Sequence, residues 1–238
     1  MTDDLDSQVR RADPDRWLSS RFIADAGRRA DVIAIYAFNQ ELARAAAGAR
    51  EPMVAEIRLT WWREGLDELL AGRPPRGHPV MQALDQAIRR GNLAAPPLEA
   101  LAESGFEDLD QDRFADEAAL ERYLDATSGA IMALAAAITG GVDAAPLRPA
   151  AHAWGLRSLI RRKAAGIDRF PEGWSASEPA ARARQALAEA RSAIVALPVE
   201  VFPAVAHLTL LDGYLKGREA SELEKRARLT WAALRGRV

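Results

Sequence analysis

"IYAFNQELARAAAG", residues 35–48, decides the fold of this chain. Its apolar residues recur with the period of a buried helix, yet it closes on alanines around one arginine, Arg44. The overlapping run "DVIAIYAF" (31–38) is apolar on nearly every helical face, and so is "GAIMALAAAI" (129–138). Helices without a polar face sit inside other helices, so both segments are expected at the centre of a bundle. Around them, Leu120, Leu124, Thr127, Ile131, Leu134 and Ile138 recur at intervals of three and four, a stripe that faces a core. A helix over 51–71 opens on Pro52 and closes at Gly72.

Further helices are predicted near 15–25, 28–48, 78–90, 96–104, 146–167, 179–197, 200–216 and 221–235. Breakers separate them at "GRPPRGHP", "GGVDAAP" and "FPEGWSASEP". No run of alternating β-branched residues divides any two helices, so no sheet is expected. The reading is all-α: one domain over 1–238, with about ten helices around a central cavity.

Composition excludes several functions. The chain has 238 residues and a net charge of -2, so no global field points to nucleic acid. With 0 cysteines, disulfides, thiolate metal sites and Cys nucleophiles are ruled out. The opening "MTDDLDSQVRR" is acidic and has no apolar core, so it does not read as a secretory signal. The longest apolar run, 129–142, is shorter than the roughly 18–20 residues of a membrane span. The expectation is a soluble cytoplasmic protein, at most peripheral at an inner membrane.

Three stretches carry a family resemblance: "RRADVIAIYAFNQELARA", "EPMVAEIRLTWWREGLDELL" and "HPVMQAL". Through them, and through "ATSGAIMALAAAITG", "AHAWGLRSLIRR" and "FPAVAHLTLLDGYL", the chain resembles the squalene/phytoene synthase family. The resemblance implies the all-α isoprenoid synthase fold and head-to-head joining of prenyl diphosphates. Active members hold Mg²⁺ on two aspartate-rich motifs borne by facing helices, because the leaving diphosphate needs Lewis-acid stabilisation. By the resemblance, the first motif falls at 43–47, which here reads Ala43, Arg44, Ala45, Ala46, Ala47. The second places Ser158, Arg162, Ala165 and Gly166 where an asparagine and three acids are expected. Both motifs therefore read as degenerate, at Ala43 and Ala47 and at Arg162 and Gly166.

The chain looks most like a branch with eroded motifs that includes mitochondrial complex I assembly factors. That implies a non-catalytic lipid-binding or scaffold protein, partnered by a prenyl or other lipid or by a membrane complex, with no metal and no cofactor. The alternative is an active prenyl transferase using Mg²⁺ on substitute carboxylates: Glu41, Glu64, Asp67, Glu68, Glu121 or Asp125. A third possibility is an interaction domain with a filled core.

Several residues stand out as candidates. Arg157, Arg161, Arg162 and Lys163 crowd one segment, and two like charges ~4 Å apart repel by about 4 kcal/mol at an effective dielectric near 20. Such a wall opposes Mg²⁺, but guanidinium binds phosphate oxygens directly. Arg157, Arg161 and Arg162, with Arg28 or Arg29, are candidates for an anionic head group; the competing reading is a solvated face with surface ion pairs. Tyr36 and Phe38 are cavity candidates, although core packing is the commoner fate of such residues. Trp61 and Trp62 are adjacent and cannot share a face, so one is available to a partner. His78 is expected to cap the next helix, and Glu117, Glu121 and Asp125 to form one solvated helix face.

Overall fold

The computed structural model describes residues 2–47, 51–91 and 93–238. Among them there is no strand. The helices are α1 (Thr2–Ala12), α2 (Pro14–Ser20), α3 (Ala26–Ala47), α4 (Pro52–Leu70), α5 (Pro79–Gly91), α6 (Ala95–Glu107) and α7 (Glu117–Leu124). They continue as α8 (Ala130–Gly140), α9 (Arg148–Ala164), α10 (Glu178–Ile194), α11 (Phe202–Val205), α12 (Leu211–Tyr214) and α13 (Glu222–Arg235). Gly48, at the end of the stretch that opened the reading, lies outside the described residues.

α3 is the axis of the bundle. It packs against α1, α4, α5, α6 and α8, and every side chain from Asp31 to Phe38 is buried. α8 is likewise buried on nearly all faces, from Ala130 to Thr139. The two helices predicted to be central are central, because neither has a polar side to offer water. Full burial of a side chain such as Ile35 or Phe38 contributes about 1.5–3 kcal/mol, an upper figure because the unfolded chain is already partly collapsed. Proline at the first turn opens α4, and α8 ends on Gly141 at φ 62°, a left-handed cap that glycine adopts without steric cost.

Three departures from the predicted elements have physical causes. α1 escaped the periodicity argument because only Leu5 and Val9 bury in the core, too few to make a stripe. Gln8 Nε2 nevertheless donates to Glu41 at 2.6 Å and ties α1 to α3. The helix expected over 200–216 is instead broken into short α and 3₁₀ pieces. That stretch carries Pro203 near its start and is buried on all sides from Val201 to Leu208, so the chain bends to bury it rather than keeping one register. Finally, α7 and α8 form one rod interrupted by a π turn over Asp125–Gly129. Thr127 Oγ1 donates back to the Tyr123 carbonyl at 2.7 Å within that turn. Gly155 of α9 lies against it so closely that a Cβ would fall 2.5 Å from Leu124 Cδ2 and 2.9 Å from Ser128 Oγ.

Candidate functional site

A cavity of about 590 Å³ opens between α3 and α9, floored by the π turn and rimmed by α2 and the start of α13. From α3 come Gln40, Ala43, Arg44 and Ala47, spaced three and four apart and so on one helix face. From α9 come Trp154, Arg157, Ser158, Arg161 and Arg162, by the same geometry. The two stretches singled out in the sequence, 43–47 and 157–162, thus form walls of one chamber.

The chamber's charges are largely paired. Asp108 accepts from Arg162 at 2.6 Å, from Arg169 at 3.3 Å and from the Tyr123 hydroxyl at 2.8 Å. Asp15, nearly buried, accepts from the Tyr214 hydroxyl at 2.8 Å and lies 2.9 Å from Lys225 Nζ. Arg157 reaches Asp15 only at 3.7 Å; its guanidinium lies over Tyr214 at 4.2 Å and Trp154 at 4.7 Å. Burial lowers the Arg157 pKa below the usual arginine value, with Asp15 opposing. Burial, then the Asp15 charge, pushes the Tyr214 hydroxyl up to about 12. Asp13 holds Arg16 at 3.3 Å, and Glu41 holds Arg44 at 2.8 Å.

Two groups stand apart from this pairing. Arg161 is exposed at the mouth and has no ion-pair partner among the described residues. Gln40 is 8 % exposed and lines the chamber, and among the described residues neither its Nε2 nor its Oε1 has a hydrogen-bond partner. A buried amide left unpaired costs about 1–3 kcal/mol.

Other predicted residues lie elsewhere. Phe38 is fully buried, edge-on to Trp62 at 5.9 Å, and is a core residue rather than a chamber one. Tyr36 is 3 % exposed and lies one turn below Gln40, with Arg16 5.9 Å over its ring. Arg28 and Arg29 are at the other end of α3, donating to the Thr139 and Ile23 carbonyls, and do not join the α9 arginines. Gly166 lies past the end of α9 at φ 96° and is not on the chamber wall. Asp168 is bound by Arg113 at 2.9 Å and Lys163 at 3.0 Å. His78 Nδ1 accepts from the Val80 amide at 3.2 Å and caps α5, as expected. The Glu117, Glu121 and Asp125 face is not simply solvated: Arg182 grips Glu117, Arg148 grips Glu121 and Asp125, and His152 lies 2.7 Å from Asp125.

Sequence reasoning missed Asp15, Asp108, Gln40, Tyr214 and Lys225. Only the "DPD" run at 13–15 offered a signal, because Asp13 Oδ1 caps α2 by accepting from the Arg16 amide at 3.1 Å.

Comparisons with known proteins agree with the fold. The profile of squalene/phytoene synthase matches residues 9–160, more than half of the chain. The chain belongs to the squalene/phytoene synthase family. In structure, this family member resembles squalene synthase HpnC from Alicyclobacillus acidocaldarius, with TM-score 0.72, 18% identity, and 99% of this chain and 94% of that one covered. It also resembles a ligand-bound dehydrosqualene synthase, with TM-score 0.77 at 14% identity over 98% and 95% of the two chains. In sequence, it is 26% identical to NADH dehydrogenase (ubiquinone) complex I assembly factor 6 of Bos taurus, over 87% of this chain and 71% of that protein. It is also 26% identical to the Homo sapiens protein of that name, over 64% of this chain and 45% of the other.

Active members of the family use Mg²⁺, and the chamber's donors can be tested against that ion. Mg²⁺ requires oxygen ligands in near-octahedral order, chiefly carboxylates, phosphate oxygens and water. Of the four carboxylates lining the chamber, Asp13, Asp15 and Asp108 are each engaged by Arg or Lys, which leaves Glu219 as a single oxygen donor group for a cation that needs several. Among the described residues, no three His, Asp or Glu side chains converge as a metal site. This donor set does not fit the ion.

Proposed function

We propose that this protein is a non-catalytic member of its family, in which both aspartate-rich motifs are lost and the chamber holds an anionic lipid head group without metal. One observation carries the reading: the facing walls present Ala43 and Ala47 on α3 and Ser158, Arg161 and Arg162 on α9. Methyl groups and guanidinium there replace the acids that active relatives use. Arg161 and Arg157 supply charge, and the Gln40 amide supplies a donor that has no partner among the described residues. A charge-assisted hydrogen bond contributes about 1.5–3 kcal/mol, enough for a phosphate-bearing head group to be held by two such contacts. By likeness to assembly factor 6, the protein acts in building a membrane-bound respiratory complex, at the membrane surface. Among the described residues no helix is long and apolar enough to cross a membrane.

The catalytic alternative has less support. Glu41, Glu64, Asp67, Glu68, Glu121 and Asp125 are all absent from the chamber wall. Glu41 is paired with Arg44, Glu64 and Glu68 with Arg76, and Glu121 and Asp125 with Arg148. A filled core is disfavoured by the chamber's volume.

Incubation with farnesyl or geranylgeranyl diphosphate and Mg²⁺ is expected to yield no coupled product. Titration calorimetry with the same ligands in EDTA is expected to show binding, weakened at least tenfold by Arg161→Glu. Coupled product, or binding only when Mg²⁺ is restored, would reverse the reading.

A further inference from the structure

The outward face of α13 serves no purpose inside the fold. Leu229 and Ala232 are buried on its inner side, and Lys225 there reaches Asp15 in the chamber. At 3.6 residues per turn, Leu223, Ala227, Thr230, Trp231 and Leu234 fall together on the opposite side. All five are exposed, with Leu223 80 %, Trp231 56 % and Leu234 77 % accessible. Isolated exposed apolar residues are ordinary, but three large ones in line on a 14-residue helix are not.

The charges beside the stripe indicate what covers it. Arg226 flanks it on one side and Arg235 on the other, and Arg237 follows at the end. None of the three has an ion-pair partner among the described residues; the other basic residues of α13, Lys225 and Arg228, are held by Asp15 and Glu224. Arg235 instead lies along the Trp231 ring, its guanidinium 4.2 Å from the centroid. Long cationic side chains on both flanks of a Leu/Trp stripe can keep their heads at phosphate level while the stripe enters the acyl boundary. The protein's net charge of -2 supplies no general attraction, so any such contact is local.

From this face we infer that α13 is an interfacial helix that lays the protein on an anionic lipid surface. Leu223, Trp231 and Leu234 insert, and Arg226, Arg235 and Arg237 pair with head groups. Lys225, on the helix's inner side, lines the chamber, so the same helix carries the lipid-facing stripe on one side and part of the chamber wall on the other. The inference is independent of what the chamber binds.

The test is co-sedimentation of the full chain with vesicles of phosphatidylcholine alone or with about one third phosphatidylserine. Binding is expected only with phosphatidylserine and should weaken as salt is raised. Each arginine near the surface is worth about fivefold, so Arg226→Gln with Arg235→Gln should lower partitioning roughly thirtyfold. Leu234→Ser should lower it about tenfold. Leu223→Ser gives a second reading at a position 80 % exposed, should the others disturb folding; circular dichroism checks each variant. No binding to either vesicle, or undiminished binding by the arginine variant, overturns the inference. A wild-type dimer that Leu234→Ser disperses, with no vesicle binding, overturns it too, by showing that a second copy covers the face.

Discussion

Asp108→Asn isolates the ion cluster that sets the chamber's charge. The substitution keeps the shape of the side chain and removes the anion that Arg162, Arg169 and the Tyr123 hydroxyl share. Arg169 is the sensitive partner: its side chain is 5% exposed, against 28% for Arg162. Breaking a buried pair from one side costs about 3–5 kcal/mol, because the remaining charge stays desolvated. Two features reduce that here. Arg162 can turn toward water in the chamber, and Arg169 keeps its position over Phe114 at 4.4 Å and Tyr123 at 5.0 Å. A loss of about 3 kcal/mol follows, or roughly 6–12 °C in Tm for a chain of this size. Urea unfolding with an unchanged m-value would assign the change to stability rather than to compactness. The same variant frees Arg162 and should strengthen metal-free binding of an anion in the chamber about fivefold. Opposite movement of stability and affinity is the distinctive signature. Stability within about 0.5 kcal/mol of wild type would show that Asp108 is not the hub of this wall.

Three further outcomes are expected. His207 is fully buried beside Trp154, with no partner for either nitrogen; burial, then Arg16 and Arg157, pushes its pKa well below the usual value. The native state therefore refuses a proton that the unfolded chain takes up, so stability is fully present above about pH 6.5 and falls below it by up to about 1.4 kcal/mol per pH unit. His207→Leu should gain about 1–2 kcal/mol and flatten that limb in denaturant titrations from pH 7 to 5; an unchanged slope would exclude His207 as its source. Burial raises the Asp125 carboxyl, but hydrogen bonds from Arg148 and His152 outweigh it and leave the pKa below the usual range. Its contribution is present above about pH 4 and lost as pH falls through the lowered value, so Asp125→Asn should soften acid unfolding, by under about 1 kcal/mol after solvent screening. Gly155→Ala drives a methyl into Leu124 and Ser128 and should cost about 1–3 kcal/mol by thermal melting; a neutral result would mean that the π turn yields freely.

Legibility in the sequence followed interaction range. His78 was readable as a cap because its partner, the Val80 amide, is two residues away. Ala43, Ala47 and Arg162 could be assigned to opposing walls because the family resemblance aligned both helices. Asp108 was not readable: in the sequence it is one of three aspartates in "EDLDQD", and its partner Arg162 lies 54 positions away. Phe38 and Gln40 are two positions apart on one helix, yet one faces Trp62 and the other an open chamber. No periodicity distinguishes those environments, because both faces of α3 are covered.

Hydrophobic period therefore determined that this chain is helical and that residues 31–38 and 129–138 lie at its centre, and the Pro and Gly breakers determined where most helices begin and end. Those properties depend on neighbours three and four residues apart and on the absence of any polar face. Tertiary structure alone decided which arginines are neutralised, which amide is left without a partner, and which face of α13 is left uncovered. Each of these is set by what a distant segment brings within about 4 Å, and residues as far apart as Asp15 and Tyr214 meet only when the whole bundle closes.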